Sequence, residues 1–447
     1  MIRRQGRCAR LALAAAGAAC AVLPASTGAA AAQTTLERLS AADLFDLAGE
    51  ALRDGRVEDA FAIYDALSRD PDPDVRAEAR FRKGMTLAEL RRFAEAAAEF
   101  RAILDEKPEA ARVRLELARM HAALGDEAAA RRELRQAQAT GLPPEVAHTI
   151  SQFARAIRSP RRLGGSVGFA LAPDSNINRA TDARTLDTII APLVLSEDAR
   201  AQSGIGFKPS AEAFARLPLS ETVSLVPRVA GVANLYRARA YEDISGSALI
   251  GLEWRRSRSR ISGSVGETRR WFGRRPYART STLALDWLYL AGPRTQIVVS
   301  GSAGKADYLQ NDLQDGAIYD LNVAVERALD ARSGGSLTLS ATRQTARDPG
   351  YATAGGGATL TGWRELGGTT LFASAGLRRT EGDARLFLFP ERRKEWLFTA
   401  RAGATLRQFR VDGFAPTVRV TYERNASTVG IYDYKRLATE FGIVRAF

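Results

Sequence analysis

Few residues in this chain have the types and spacing that chemistry needs. Two histidines occur, His121 in RMHAALGD and His148, and neither has the Cys or carboxylate arrangement of a metal site. His121 reads as an inter-helix packing or surface residue. Asp70, Asp72 and Asp74 alternate in RDPDPDV like the start of a calcium loop. The interspersed prolines and the missing downstream glutamate make that stretch an inter-repeat turn. No nucleophile–base pair and no phosphate loop is present, so no enzyme and no cofactor is expected. The distinctive stretch is instead LAPDSNINRAT, 171–181. Pro173 fixes φ, and Asp174, Ser175 and Asn176 are able to cap or form Asx turns. Asn178, Arg179 and Thr181 supply further polar groups. Two roles stay open for these residues: tying a loop to its own scaffold, or touching a client.

The elements that position this stretch are legible in the rest of the chain. The N-terminus reads as a secretory signal. Arg3, Arg4, Arg7 and Arg10 precede the apolar run LALAAAGAACAVL, and Ala30-Ala31-Ala32 fits a cleavage site before Gln33. Both cysteines, Cys8 and Cys20, fall inside it, so the exported chain has no disulfide and no thiolate site. Subtracting four arginines from the formal charge of +13 leaves +9. On an exported chain this charge points to anionic lipid or a secreted client, not to nucleic acid.

From about Leu44 to Phe153 the pattern is helical and rich in alanine. Ala60 precedes Tyr64, Ala96 precedes Phe100 and Ala130 precedes Leu134. Gly55 and Gly125 each lie five residues before their alanine, and Arg91 takes that place in the middle unit. Pro71, Pro108 and Pro143 close the units. The spacing resembles the tetratricopeptide repeat, whose stacked helix pairs offer a concave face for protein segments.

After Ser159-Pro160 the period becomes 2. Leu283, Leu285, Trp287 and Tyr289 share a face, as do Trp396, Phe398, Ala400 and Ala402. Thr399, Arg401, Gly403, Thr405 and Arg407 oppose the second set. In PTVRVTYER, Val418, Val420 and Tyr422 oppose Arg419 and its neighbours. One apolar face against one polar face is the alternation of a transmembrane β-barrel. Roughly fourteen strands fit between Gly164 and Phe447, with short turns alternating with longer loops. The longest loop, 173–200, starts in the motif and carries an apolar piece, TLDTIIAPLVL, which suits packing in the barrel or against a client. Arg401, Arg407 and Arg419 are expected to face the lumen. Phe441, Ile443 and the terminal Phe447 lie on one face, as in the signal read by the barrel assembly machinery. The fold class expected is therefore α+β multidomain: a signal peptide (1–32), a helical repeat domain (33–160) and an antiparallel outer-membrane barrel of about fourteen strands (161–447).

APDSNINRAT after a short Gly-containing strand resembles the start of the barrel domain in the surface lipoprotein assembly modifier (Slam) family. The resemblance extends over the repeats, the boundary, the strand number and the terminal Phe. It implies a periplasmic repeat domain joined to an outer-membrane translocon that delivers lipoproteins or secreted proteins to the cell surface. The partners implied are that client, its periplasmic chaperones, the barrel assembly machinery and outer-membrane lipids. Of the motif, Pro173, Asp174, Ser175, Asn176, Ile177, Asn178, Arg179, Ala180 and Thr181 match. A polysaccharide exporter and a porin-like channel are the competing readings, since inward arginines suit an anionic polymer or a constriction equally.

Overall fold

A computed structural model describes residues 40–140, 162–409 and 414–446. The signal peptide with Cys8 and Cys20, the boundary at 141–161 with His148, the 410–413 turn and Phe447 lie outside the described residues. The chain forms two compact units, one ending at Ile63 and the other spanning Tyr64–Phe447.

Six helices come first: α1 (Ala41–Arg53), α2 (Val57–Leu67), α3 (Pro73–Glu89), α4 (Phe93–Glu106), α5 (Ala111–Ala123) and α6 (Glu127–Gln138). Local chemistry sets their starts. Ser40 and Asp43 form a capping box on α1. The Asp72 carboxylate accepts the Asp74 N–H at the start of α3, with Pro73 in the first turn, and Asp70 accepts the Asp72 N–H. The aspartates of RDPDPDV thus build a cap. The turns between paired helices reverse through a left-handed residue: Gly55 at φ 77°, Arg91 at φ 59° and Gly125 at φ 86°. Ala60, Ala96 and Ala130 are completely buried, and Tyr64, Phe100 and Leu134 nearly so. Gly84 packs against Phe100 so closely that a Cβ would sit 2.8 Å from the ring.

The barrel has fourteen long strands, β1 (Leu163–Asp174), β2 (Gly204–Ala215), β3 (Val223–Tyr236), β4 (Asp243–Arg256), β5 (Ser259–Phe272), β6 (Arg275–Tyr289), β7 (Thr295–Tyr308), β8 (Gly316–Ala328), β9 (Ser333–Gln344), β10 (Thr353–Leu366), β11 (Thr369–Arg385), β12 (Arg392–Leu406), β13 (Ala415–Ser427) and β14 (Tyr434–Ala446). Each pairs antiparallel with its neighbours, and β1 pairs with β14, so the sheet closes. The alternating stripes stand where the period placed them. Leu283, Leu285, Leu337, Leu339, Trp396, Phe398, Leu437 and Phe441 are exposed on the outer wall, where lipid replaces water.

The turns at the helix side are short. At the far end the loop between β1 and β2 is by far the longest. The expectation that far-side loops are uniformly longer is corrected at Gly273-Arg274, where φ values of 56° and 65° make a two-residue hairpin turn.

Candidate functional site

Three groups of residues define the working parts: a latch on the strand seam, a wall of lumen side chains and an interface between helices and barrel.

The latch contains the motif. The β1–β14 ladder runs from Ser166↔Ala446 to Leu171↔Phe441 and resumes at Asp174↔Ala438. Pro173 lies in the gap, where its missing N–H cannot serve the ladder. Past the gap the motif side chains take over. Ser175 donates its N–H to the Leu437 carbonyl, and its hydroxyl accepts the Leu437 N–H at 2.9 Å. The Asn176 amide donates to the Ala180 carbonyl at 2.8 Å and to the Lys435 carbonyl at 3.0 Å. Asn178 bridges the two ends of the long loop, donating to the Arg200 carbonyl and accepting from the Gln202 N–H. The Thr181 hydroxyl accepts the Ala183 N–H. Asp174, Asn176 and Thr181 are buried.

Behind these bonds lies a four-charge chain across the seam. Asp174 of β1 pairs with Arg436 of β14 at 2.7 Å. Arg436 also pairs with Glu423 of β13 at 2.9 Å, and Glu423 with Arg179 of the loop at 3.0 Å. Arg179 holds φ at 48°, a left-handed conformation unfavourable for a side-chain-bearing residue. Its guanidinium reaches Glu423 from that conformation. A second bridge joins Lys208 of β2 to Glu440 of β14 at 2.7 Å, passing over β1, and Arg419 joins it at 3.2 Å. The two chains make the seam a closed, charge-paired junction. These bonds tie the motif side chains to the strand seam.

The lumen expectations separate here. Arg419 and Arg401 lie on the inner face, Arg419 within the Glu440 bridge. Arg401 lines a cavity of about 280 Å³ in the wall with Arg378, Thr359, Ser374 and Thr399, over Gly357 and Gly376. Arg407 follows β12, which ends at Leu406, and donates to the Thr370 hydroxyl. It sits at the mouth, donating to the Gly367 carbonyl at 2.6 Å and pairing with Asp105 of α4 at 3.1 Å. Phe441 and Ile443 face outward opposite Leu171 and Phe169.

The interface between helices and barrel escaped the sequence reading. Helices α4, α5 and α6 bond to the barrel at each of its six helix-side connections or at the strand ends flanking them. Arg216 after β2 and Arg255 and Arg260 around the β4–β5 turn reach Glu127. Arg294 donates to the Gln138 carbonyl, and Arg135 pairs with Glu326. Arg114 donates to the Ala331 carbonyl in the β8–β9 turn. Arg101 pairs with Glu365 at 3.1 Å, and Asp105 with Arg407. At the centre, Arg114 and Glu133 are fully buried and pair at 2.7 Å, with Arg101 on the other carboxylate oxygen. Burial opposes ionisation of Glu133, but Arg101 and Arg114 outweigh it and hold the carboxyl far below its ordinary range. The available signal was a run of charges on α6, GDEAAARRELRQAQ, too dense for one solvated face.

His121 on α5 feels the same environment. Burial pushes it down to about 4, against the pull of Glu133 and Asp126. The folded chain therefore leaves His121 neutral where the unfolded chain, titrating near 6.5, takes a proton. Proton uptake by the unfolded state alone means stability falls as pH drops from about 6.5 towards 4, and Glu133 extends the loss below its ordinary range. We expect the helical layer to lose about 2–3 kcal/mol across that window. Amide exchange of α5 and α6 at stepped pH measures it, and His121→Gln flattens the upper part of the drop.

A closed antiparallel barrel of fourteen strands, apolar outside and charge-paired inside, is an outer-membrane β-barrel protein. The chain belongs to the surface lipoprotein assembly modifier family, whose model matches residues 164–444. No curated protein sequence matches it. Among solved structures it is similar to the outer membrane channel DcaP of Acinetobacter baumannii, with 8% identity, 64% of this chain and 96% of that one covered, and a TM-score of 0.41. An outer membrane channel from Pseudomonas putida F1 is 14% identical, with 64% and 96% covered and a TM-score of 0.34. OmpT of Vibrio cholerae is 8% identical, with 64% and 97% covered and a TM-score of 0.38.

Proposed function

We propose that this protein is a translocon that delivers lipoproteins or secreted proteins across the outer membrane to the cell surface. The observation that carries the reading is the helical layer bonded to the barrel at or beside every helix-side connection. A passive pore has no use for such a layer, whereas a translocon needs a receiving surface at its entrance. In this reading the helices face the periplasm, receive the client from a chaperone and hand it to the barrel. The far end supports the same direction of travel. In the 175–203 loop, Leu186 and Leu195 pack with Leu386, Phe389 and Val429. Ile190, Val194 and Phe387 remain exposed there, each about three-quarters accessible. Exposed apolar tips at an exit suit a folding client. The mechanism is physical, not chemical: client folding or binding beyond the membrane drives the passage.

Reconstitution tests it. Purified protein in liposomes is given a candidate client with its periplasmic chaperone. Protease protection of that client is expected to depend on the protein. Failure to move any client under these conditions sinks the proposal.

A further inference from the structure

Where α6 meets the barrel, the charges do not balance. Four guanidiniums, Arg131 of α6, Arg216 after β2, Arg255 of β4 and Arg260 of β5, converge on two carboxylates, Glu127 and Glu253. Arg255 lies 2.7 Å from Glu127 and 2.6 Å from Glu253. Arg216 lies 3.5 Å and 3.3 Å from the same two groups. Arg131 reaches Glu127 at 3.3 Å, and Arg260 reaches it at 3.6 Å. The excess is two positive charges.

Hydrogen bonding shows the same deficit. Nε of Arg131 and Nη2 of Arg255 are buried with no hydrogen-bond acceptor, and Nε of Arg216, 3.3 Å from Glu253, does not reach hydrogen-bond geometry. Arg131 is only 8% exposed, so solvent does not serve it. Buried N–H groups of charged side chains are costly to leave unmet, and native structures rarely do so. Burial and the neighbouring arginines draw Arg131 down to about 10, the mark of a cation short of counter-charge.

We propose that this cluster is a binding site for a small tetrahedral oxyanion of the phosphate or sulfate class. A dianion matches the excess charge. Its four oxygens accept from three different arginines at once, which neither a halide nor a single carboxylate does as well. Arg260, whose side chain is 32% exposed, leaves an approach from solvent. Arg255 and Glu253 point to the lumen side of the wall, away from the apolar outer face, so the ligand is a free oxyanion and not a lipid headgroup. Bound there, it ties α6 to β2, β4 and β5.

Calorimetric titration of inorganic phosphate into the full chain in detergent micelles tests this, with chloride at equal ionic strength as reference. One saturable site per chain is expected, reproduced by sulfate. Arg131→Gln should abolish it, and Arg260→Gln should weaken it at least tenfold. Should Arg131→Gln fail to fold, the more exposed Arg260→Gln decides alone. No saturable phosphate binding, affinity unchanged in the folded variants, or a response to glycerol 3-phosphate without one to inorganic phosphate would each overturn the assignment.

Discussion

Replacing Arg436 by Met is expected to destabilise the barrel by about 3–5 kcal/mol, because it leaves the buried Asp174 without a counter-charge and weakens the pairing of Glu423. Asp174 loses its only ion pair among the described residues, and Glu423 keeps Arg179 and the Tyr434 hydroxyl but loses its buried partner. All three members of the central pairing are nearly shut off from solvent, so water does little to replace the lost partner. The damage should concentrate at the seam, where the ladder breaks at Ala172 and Pro173. Urea unfolding in micelles measures the loss. Cross-linking of cysteines placed on β1 and β14 locates it. Removing both charges together, Asp174→Asn with Arg436→Gln, should cost less than Arg436→Met alone, since no buried charge is then left without a partner. If Arg436→Met behaves like a surface substitution, the seam is not held by this chain of charges.

The second large effect is expected at the centre of the helix–barrel interface. Arg114 donates to Glu133 at 2.7 Å, to Gln136 at 3.2 Å, to the Pro108 carbonyl at 3.0 Å and to the Ala331 carbonyl of the barrel. Arg114→Met removes the donor to all four and leaves Glu133 with Arg101 alone. About 3–5 kcal/mol should be lost, as for other broken buried pairs. Among the described residues Arg114 touches the barrel only at the Ala331 carbonyl and the edge of Glu365, so the loss should fall on the helices. The variant should therefore keep heat-modifiable mobility in gels while amides of α5 and α6 exchange faster. Equal loss in helices and barrel would mean that the two do not separate at this interface.

Much of the fold was open to reading, and the reasons are particular. Outer-wall strands announce themselves because lipid demands an apolar residue at every second position, as in Leu283, Leu285 and Trp287. The helical units announced themselves through Ala60, Ala96 and Ala130, where close packing admits only a small side chain. Even Arg91 marked its turn by standing where Gly55 and Gly125 stand in the flanking units. The ion chains did not show. Arg436 and Glu423 obey the alternation like any lumen residues, and pairing between strands far apart in sequence leaves no local trace. The alternation put Arg407 with Arg401 but could not show that its partner, Asp105, comes from a helix. The motif itself was found, but its type of residue fits a scaffold and a binding loop equally. Its bonds to Leu437, Lys435 and Arg436 could not be read from the sequence, because their partners lie 259 to 262 residues away.

These results divide the labour within the chain. The motif and its ion pairs hold the seam shut, the helices bond across the opposite mouth, and the exposed apolar tips lie at the far end. The two variants above act on the seam and on the helical layer, one each.

The most direct measurement compares the surface proteome of intact producing cells with and without this protein, using a membrane-impermeant label. The translocon reading predicts that one or a few proteins disappear from the surface while remaining in the cell. An unchanged set of surface proteins, with loss of a capsule or matrix polymer instead, would contradict it and make the protein a polysaccharide exporter.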